Sequence, residues 1–210
     1  MAPSRTSGSD RSGSARERLI RAAQEVLGTI GPSASIHLIA EHAEVGVGTV
    51  YRQFGSKAGL LEVASRSALL DFEAWMYRNY TSSIEDPLEF FSTSMRIYLR
   101  MPITHPVNAR VLIQPETVLL SDSPNYPKAA WAALEACMAA GRVSCPDPHL
   151  RLTLVQNITR GMLLLGVAKG GTLDTTLLDD AAEECLMLIG ARRADARRLA
   201  HLPLADALPG

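Results

Sequence analysis

The sequence predicts an all-α chain of about nine helices: a short three-helix unit near the N-terminus, then a larger helical bundle. Three observations predict it. Apolar residues recur at spacings of three and four through most of the chain, as along Leu19, Ile20, Ala23, Val26, Leu27 and Ile30. Proline and glycine fall between these periodic segments and punctuate them. Strict apolar–polar alternation, the mark of a half-buried strand, persists nowhere.

The elements follow in order. Residues 1–14 are Ser, Gly and Arg-rich without periodicity, and predict a disordered arm: a simple solvated terminus or, as the alternative, one whose Arg5 and Arg11 add phosphate attraction or reach a minor groove. The first helix starts at Ala15 and stops at Gly31-Pro32. Ser35 is suited to cap a second helix over 36–43, and a third spans 47–54. Gly55 ends it, and Ser56 caps a fourth that runs to Tyr80. Further helices are expected near 86–101, 106–120, 125–141, 147–169 and 175–193, broken at Pro102, Pro106, Pro124, Pro146 and Gly170-Gly171. The division expected is an arm over 1–14, a head over 15–57, a body over 58–193 and a loose tail over 194–210.

Composition narrows the class. Apolar residues make up 47% of the chain and charged residues 20%, enough for a packed core. The formal net charge is -1, but residues 1–57 hold seven Lys and Arg against five Asp and Glu, while the remainder is acidic. A basic head on an acidic body suits contact with nucleic acid at one end. Cys137, Cys145 and Cys185 show neither pairing nor metal-ligand spacing, which points to a reducing cytoplasmic compartment and no metal. His37 and His42 are five apart, which does not place two imidazoles on one helical face. The apolar run Met162–Ala168 is too short to span a bilayer. No phosphate loop, nucleophile elbow or zinc-protease motif is present, so an enzyme is not expected, nor is a cofactor.

Residues 35–61 carry the chemistry. Two short helices joined by a tight turn form a helix-turn-helix, whose second helix enters the major groove of DNA. Val45, Val50 and Phe54 are the anchors of that helix, which leaves Val47, Gly48, Thr49, Tyr51 and Arg52 outward. Gly48 lets the backbone approach DNA, Thr49 and Tyr51 offer hydroxyls, Arg52 offers a charged fork, and Val47 offers an apolar surface to a thymine methyl. Lys57 opens the fourth helix, where the macrodipole disfavours a cation, so a phosphate partner is the natural explanation. His37, near the start of the second helix, is a further candidate for phosphate contact.

The segment VGVGTVYRQFGSKAGLL, preceded by SIHLIAEHAEV, resembles the signature of the TetR family of bacterial transcriptional regulators. The resemblance covers residues 16–62 and implies a cytoplasmic, nucleoid-associated homodimer that binds a pseudo-palindromic DNA operator and responds to a small-molecule effector. It implies that Ser35 caps the second helix near a phosphate, that Val47, Gly48 and Thr49 meet base edges or backbone, and that Tyr51 and Lys57 clamp phosphates. Glu44 stands where relatives place a turn glycine, a position that tends to need positive φ and costs a non-glycine residue about 1 kcal/mol.

The same resemblance implies a pocket among helices four to seven. Residues of matching character are Phe72, Trp75, Met76, Met95, Tyr98 and Trp131, with Arg110 and Gln114 one helical turn apart to orient a polar end. Such a lining fits a mainly hydrophobic effector that releases a repressor from DNA. The last two long helices look apolar on more than one face, through Leu154, Ile158, Met162 and Leu165 on one and Ala181, Cys185 and Leu188 on the other. They are the expected dimer interface, as an isologous four-helix bundle. The competing reading is a helical small-molecule-binding or adaptor protein that makes no specific contact with DNA.

Overall fold

A computed structural model describes residues 13–31, 33–113 and 128–204. The structure of the expected arm over 1–12, of Gln114 and of the tail beyond 204 lies outside these described residues. Ten α-helices are present among them: α1 (Ala15–Thr29), α2 (Ile36–His42), α3 (Val47–Phe54), α4 (Lys57–Met76), α5 (Pro87–Thr104), α6 (Pro106–Leu112), α7 (Lys128–Ala139), α8 (Pro148–Ala168), α9 (Thr175–Leu188) and α10 (Arg193–Ala200). The β structure among the described residues is a single antiparallel bridge between Val143 and Ala191.

Local chemistry explains where these helices start. Ser14 and Glu17 form a capping box on α1: Ser14 Oγ accepts from the Glu17 amide at 3.3 Å, and Glu17 Oε2 accepts from the Ser14 amide at 2.9 Å. Asp86 accepts from the amides of Leu88 and Glu89 at 2.9 Å, and Pro87 opens α5, where a missing N–H costs nothing. The fourth helix ends as α-helix at Met76 and continues as one π turn, Tyr77–Thr81.

Two expectations are corrected. Pro102 does not break α5, which continues to Thr104 with the proline inside it. The proline ring is buried against glycines of α8 and the loop after it. A Cβ on Gly166 would lie 2.6 Å from Pro102 Cγ, and one on Gly171 would lie 2.7 Å from the Pro102 carbonyl oxygen. Tertiary packing holds the helix through a residue that local rules would place at its end. The tail expected to be loose from residue 194 begins instead with α10, whose Ala196, Leu199 and Ala200 are buried. Arg96 of α5, 2% exposed, holds it there by donating to the carbonyls of Leu199 at 3.3 Å and Leu202 at 2.7 Å.

Three cores organise the chain. The head core joins α1–α3 to the first half of α4 through Leu19, Ile39, Val50, Leu60 and Leu61, and takes in Val111 from α6. A middle core gathers Phe72, Met76, Ile97, Met101, Ala109 and Leu163. The body core packs α5 and α7–α10. α4 therefore belongs to the head at one end and to the body at the other.

Candidate DNA-binding surface and effector cavity

The turn between α2 and α3 is built as the helix-turn-helix reading requires. Ser35 Oγ accepts from the Leu38 amide at 3.1 Å and caps α2. Glu44 adopts φ 53°, left-handed although it is not glycine. The amides of Glu44 and Val45 donate to the carbonyls of Glu41 and Ala40, both at 3.0 Å, and close the turn. Arg18 of α1 donates to the Ala43 carbonyl at 3.2 Å, a second clasp on the end of α2 that the sequence did not reveal.

On α3, Val47, Val50 and Phe54 fall at spacings of three and four and share one stripe. Val50 is fully buried, and Val47 and Phe54 pack on the head core beside it. Val47, expected to face outward, is thus corrected to the inner edge of the helix. Gly48, Tyr51 and Arg52 are exposed, as is Gln53, which the sequence reading passed over; Thr49 is half-buried beside them. Tyr51 is 53% exposed, large for an aromatic side chain. Ser35 and His37 are exposed at the start of α2, and Lys57 is half-buried in the first turn of α4. Arg16 lies over the Phe54 ring at 5.3 Å and adds a further cation to this end of the head.

A Cβ on Gly48 would meet nothing within 4 Å. Gly48→Ala is therefore expected to leave the fold intact, or to stabilise α3 by up to about 1 kcal/mol from helix propensity. If the backbone of Gly48 approaches DNA, the same change weakens operator binding. A gel-shift titration run beside a thermal melt separates the two effects, and an unaltered affinity would remove Gly48 from the interface.

Behind the head, the body forms a half-open cavity of about 290 Å³. α4 contributes Leu69, Glu73 and Met76, and α5 contributes Phe90, Phe91, Ser94, Met95 and Tyr98. α8 supplies Leu152, Val155, Gln156, Thr159, Arg160 and Leu163, and Leu112 ends α6 in the same wall. Met76, Met95 and Tyr98 are where the sequence placed them. Phe72, Trp75 and Trp131 are not: they do not line the cavity. Phe72 is 1% exposed and packs edge-on to Tyr98 at 5.2 Å, a layer behind the wall. Trp75 contacts the His105 ring at 4.2 Å, and Trp131 stacks on His149 at 4.1 Å. Burial in this aromatic layer lowers the His105 pKa.

Arg110, expected in the pocket, turns the other way. Its Nη1 donates to the Gly28 carbonyl of α1 at 2.8 Å. Beside it, a Cβ on Gly28 would lie 2.4 Å from Val107 Cγ1, so α6 and α1 meet closely. Asn108 of α6 donates to the Ala68 carbonyl of α4 at 3.2 Å. α6 is thus fixed to the head by three side chains while its last residue, Leu112, touches the cavity.

On α8, Leu150, Leu154, Ile158 and Leu165 form an exposed apolar stripe on a different face from the cavity wall. Met162, Ala181 and Leu188 pack partly on the body core, and Cys185 is fully buried in it. The expectation that Cys185 faces a partner is corrected: the protomer's own core covers it. The thiols of Cys137 and Cys185 are pushed up to about 12 by burial, so neither is a nucleophile.

A helix-turn-helix head joined through shared helices to a hollow helical body defines a DNA-binding regulator. The chain belongs to the TetR family: residues 19–64 match the family of bacterial regulatory proteins of TetR type, and residues 86–202 match the tetracycline repressor-like C-terminal domain. It is a transcription regulator, not an enzyme. Over 75 residues it is 37% identical to the HTH-type transcriptional regulator BetI 1 of Chromohalobacter salexigens, a match spanning 35% of this chain and 37% of that relative. The fold resembles that of RolR solved with its ligand resorcinol, at TM-score 0.67 and 22% identity, covering 92% of this chain and 96% of that one. It also resembles the fatty acid degradation regulator FadR of Bacillus halodurans, at TM-score 0.66 and 20% identity, covering 84% and 96%. A transcriptional regulator from Rhodococcus sp. Rha1 aligns at TM-score 0.61 and 18% identity, covering 84% and 96%. Among the described residues, no cluster of His, Cys, Asp or Glu can hold a metal ion, and no helix is long and apolar enough to cross a membrane.

Proposed function

We propose that this protein is a ligand-released repressor: a cytoplasmic homodimer that holds a pseudo-palindromic operator until a mainly hydrophobic small molecule enters the cavity. One observation carries the reading. α4 contributes Leu60, Leu61 and Ala64 to the head core and, further along the same helix, Leu69, Glu73 and Met76 to the cavity wall. A packed helix transmits displacement, because close-packed interiors shift between discrete arrangements rather than deform gradually. α6 supports the same reading, since Val111 belongs to the head core and Leu112, the next residue, to the cavity. The chemistry of two structural neighbours fits it too, one bound to resorcinol and the other a regulator of fatty acid degradation.

In this reading Ser35, His37, Gly48, Thr49, Tyr51, Arg52 and Lys57 face DNA, and the exposed stripe of α8 pairs with its symmetry mate. Two-fold symmetry sets the recognition helices about 34–36 Å apart, one turn of DNA. An effector releases DNA only through its different affinity for the two states; a hundredfold loss of operator affinity needs about 2.7 kcal/mol of coupling. The test is a gel-shift titration on the DNA upstream of the protein's own gene, across a salt series. Lys57→Ala is expected to weaken binding on every sequence and to lower the salt slope by about one unit. Unchanged affinity and slope would remove Lys57 from the interface.

A further inference from the structure

The wall of the cavity specifies more than an apolar occupant. At about 290 Å³ it lies at the small end of ligand sites, which suits one compact ring system rather than an extended chain. Ring faces of Phe90, Phe91 and Tyr77 and the thioethers of Met76 and Met95 supply aromatic and polarizable contact.

The polar groups are few and opposed in sign. Glu73 and Arg160 are the charged side chains among the described lining residues. The Tyr98 hydroxyl donates to Glu73 Oε1 at 2.7 Å. A carboxylate accepts at both oxygens, so Glu73 keeps capacity for a second donor. Arg160 Nη2 is turned to the Ile113 carbonyl at 3.3 Å. Two further wall residues hold unused capacity: Thr81 Oγ1 and Ser94 Oγ are buried with no hydrogen-bond partner. A buried hydroxyl left unmade is costly, and an occupant that completes it removes that cost.

We infer that the cavity takes an uncharged phenol, its ring against the aromatic and Met side chains and its hydroxyl donating to Glu73. The Tyr98–Glu73 bond leaves an acceptor beside an aromatic wall, which a neutral phenol hydroxyl completes, while Arg160, bonded to the Ile113 carbonyl, is the counter-charge to which an acid would turn instead. A pure hydrocarbon leaves Glu73, Thr81 and Ser94 without the partners they lack. The inference rests on the effector-site reading above, and adds to it the chemistry of the ligand.

The full-length protein, titrated by calorimetry with resorcinol, toluene, benzoate and decanoate, tests it, with a gel shift on the same four compounds. Resorcinol is expected to bind at least about tenfold more tightly than the other three, the scale of one hydrogen bond to a charged group. Glu73→Gln is expected to weaken resorcinol by about tenfold to a hundredfold without altering the melting temperature by more than a few degrees. Should that variant melt early, Glu73→Asp and Ser94→Ala, each with a smaller loss expected, carry the test. Benzoate or decanoate binding more tightly than resorcinol would overturn the phenol class, as would resorcinol binding that ignores all three substitutions. If one of those acids also releases DNA, the effector site survives that result. Resorcinol binding with Glu73 dependence but without release of DNA supports the ligand class and counts against the release mechanism.

Discussion

Asp179→Ala is expected to destabilise the protein by about 3–5 kcal/mol, the cost of breaking a buried ion pair from one side. Asp179 Oδ1 accepts from Arg96 Nε at 3.0 Å and from Arg100 Nη2 at 2.7 Å. Both guanidinium groups are largely withdrawn from water, with side-chain exposures of 3% and 11%. Burial lowers the Arg96 pKa, and Asp179 opposes that shift by hydrogen bond and by charge. Without the carboxylate, two like charges face each other beneath α10 with nothing to balance them. For a chain of this length the loss corresponds to a fall in melting temperature of about 10 °C, read at fixed protein concentration so that any self-association contributes equally. The triple variant Arg96→Met, Arg100→Met with Asp179→Leu is expected to recover part of it, since apolar replacements of similar volume do not carry the desolvation cost. An Asp179→Ala melt within about 1 kcal/mol of the parent would show that solvent already balances this cluster.

That cluster marks the boundary of what was legible in the sequence. Helix starts were legible where caps are local: Ser35 with Leu38 and Ser56 with Gly59 each act across three residues. The left-handed turn at Glu44 was implied by the family resemblance, since relatives place a glycine there. Arg96 and Asp179 are 83 residues apart, and no periodicity links them. α10 was hidden by composition. RADARRLA reads as a polar tail, because its buried face is made of small residues and its anchor is an arginine on another helix.

The site was legible in part on similar grounds. The α4 and α5 walls announced themselves as clustered aromatics and methionines, although periodicity does not separate the layer that faces the cavity from the layer behind it. Met76 and Phe72 lie one helical turn apart, and only Met76 faces inward to the space. Arg110 was read as sharing a helical face with Gln114, but its partner is a carbonyl of α1, which no spacing rule supplies. α8 was read as apolar on more than one face, one for its own body and one for a partner, but no spacing rule said that the inner face borders a cavity. The structure separates them: Leu152, Val155 and Leu163 face the cavity, while Leu150, Leu154, Ile158 and Leu165 stay exposed.

The exposed stripe carries the second large expected effect. Leu154 and Ile158 are 43% and 38% exposed on the single protomer, four residues apart and one above the other on α8. Leu150 and Leu165 extend the row in both directions, and Gly161 within it has open space where a side chain would stand. Such a row fits a second copy of the same helix approaching closely across a two-fold axis. Placing Asp at both Leu154 and Ile158 sets four carboxylates against one another in that pairing, a repulsion that salt screens poorly once the groups are buried. Because neither side chain belongs to the protomer's core, the monomer is expected to stay folded. Operator affinity is expected to fall by about a hundredfold or more, since tethering two half-site contacts raises affinity by that order through effective concentration alone. Sedimentation at micromolar protein gives the oligomeric state, and a gel shift on the operator gives the binding. A double variant that remains dimeric and binds DNA normally would move the interface away from this stripe. A monomer with unaltered operator affinity would instead separate dimerisation from DNA recognition, and with it the two-headed mode of binding.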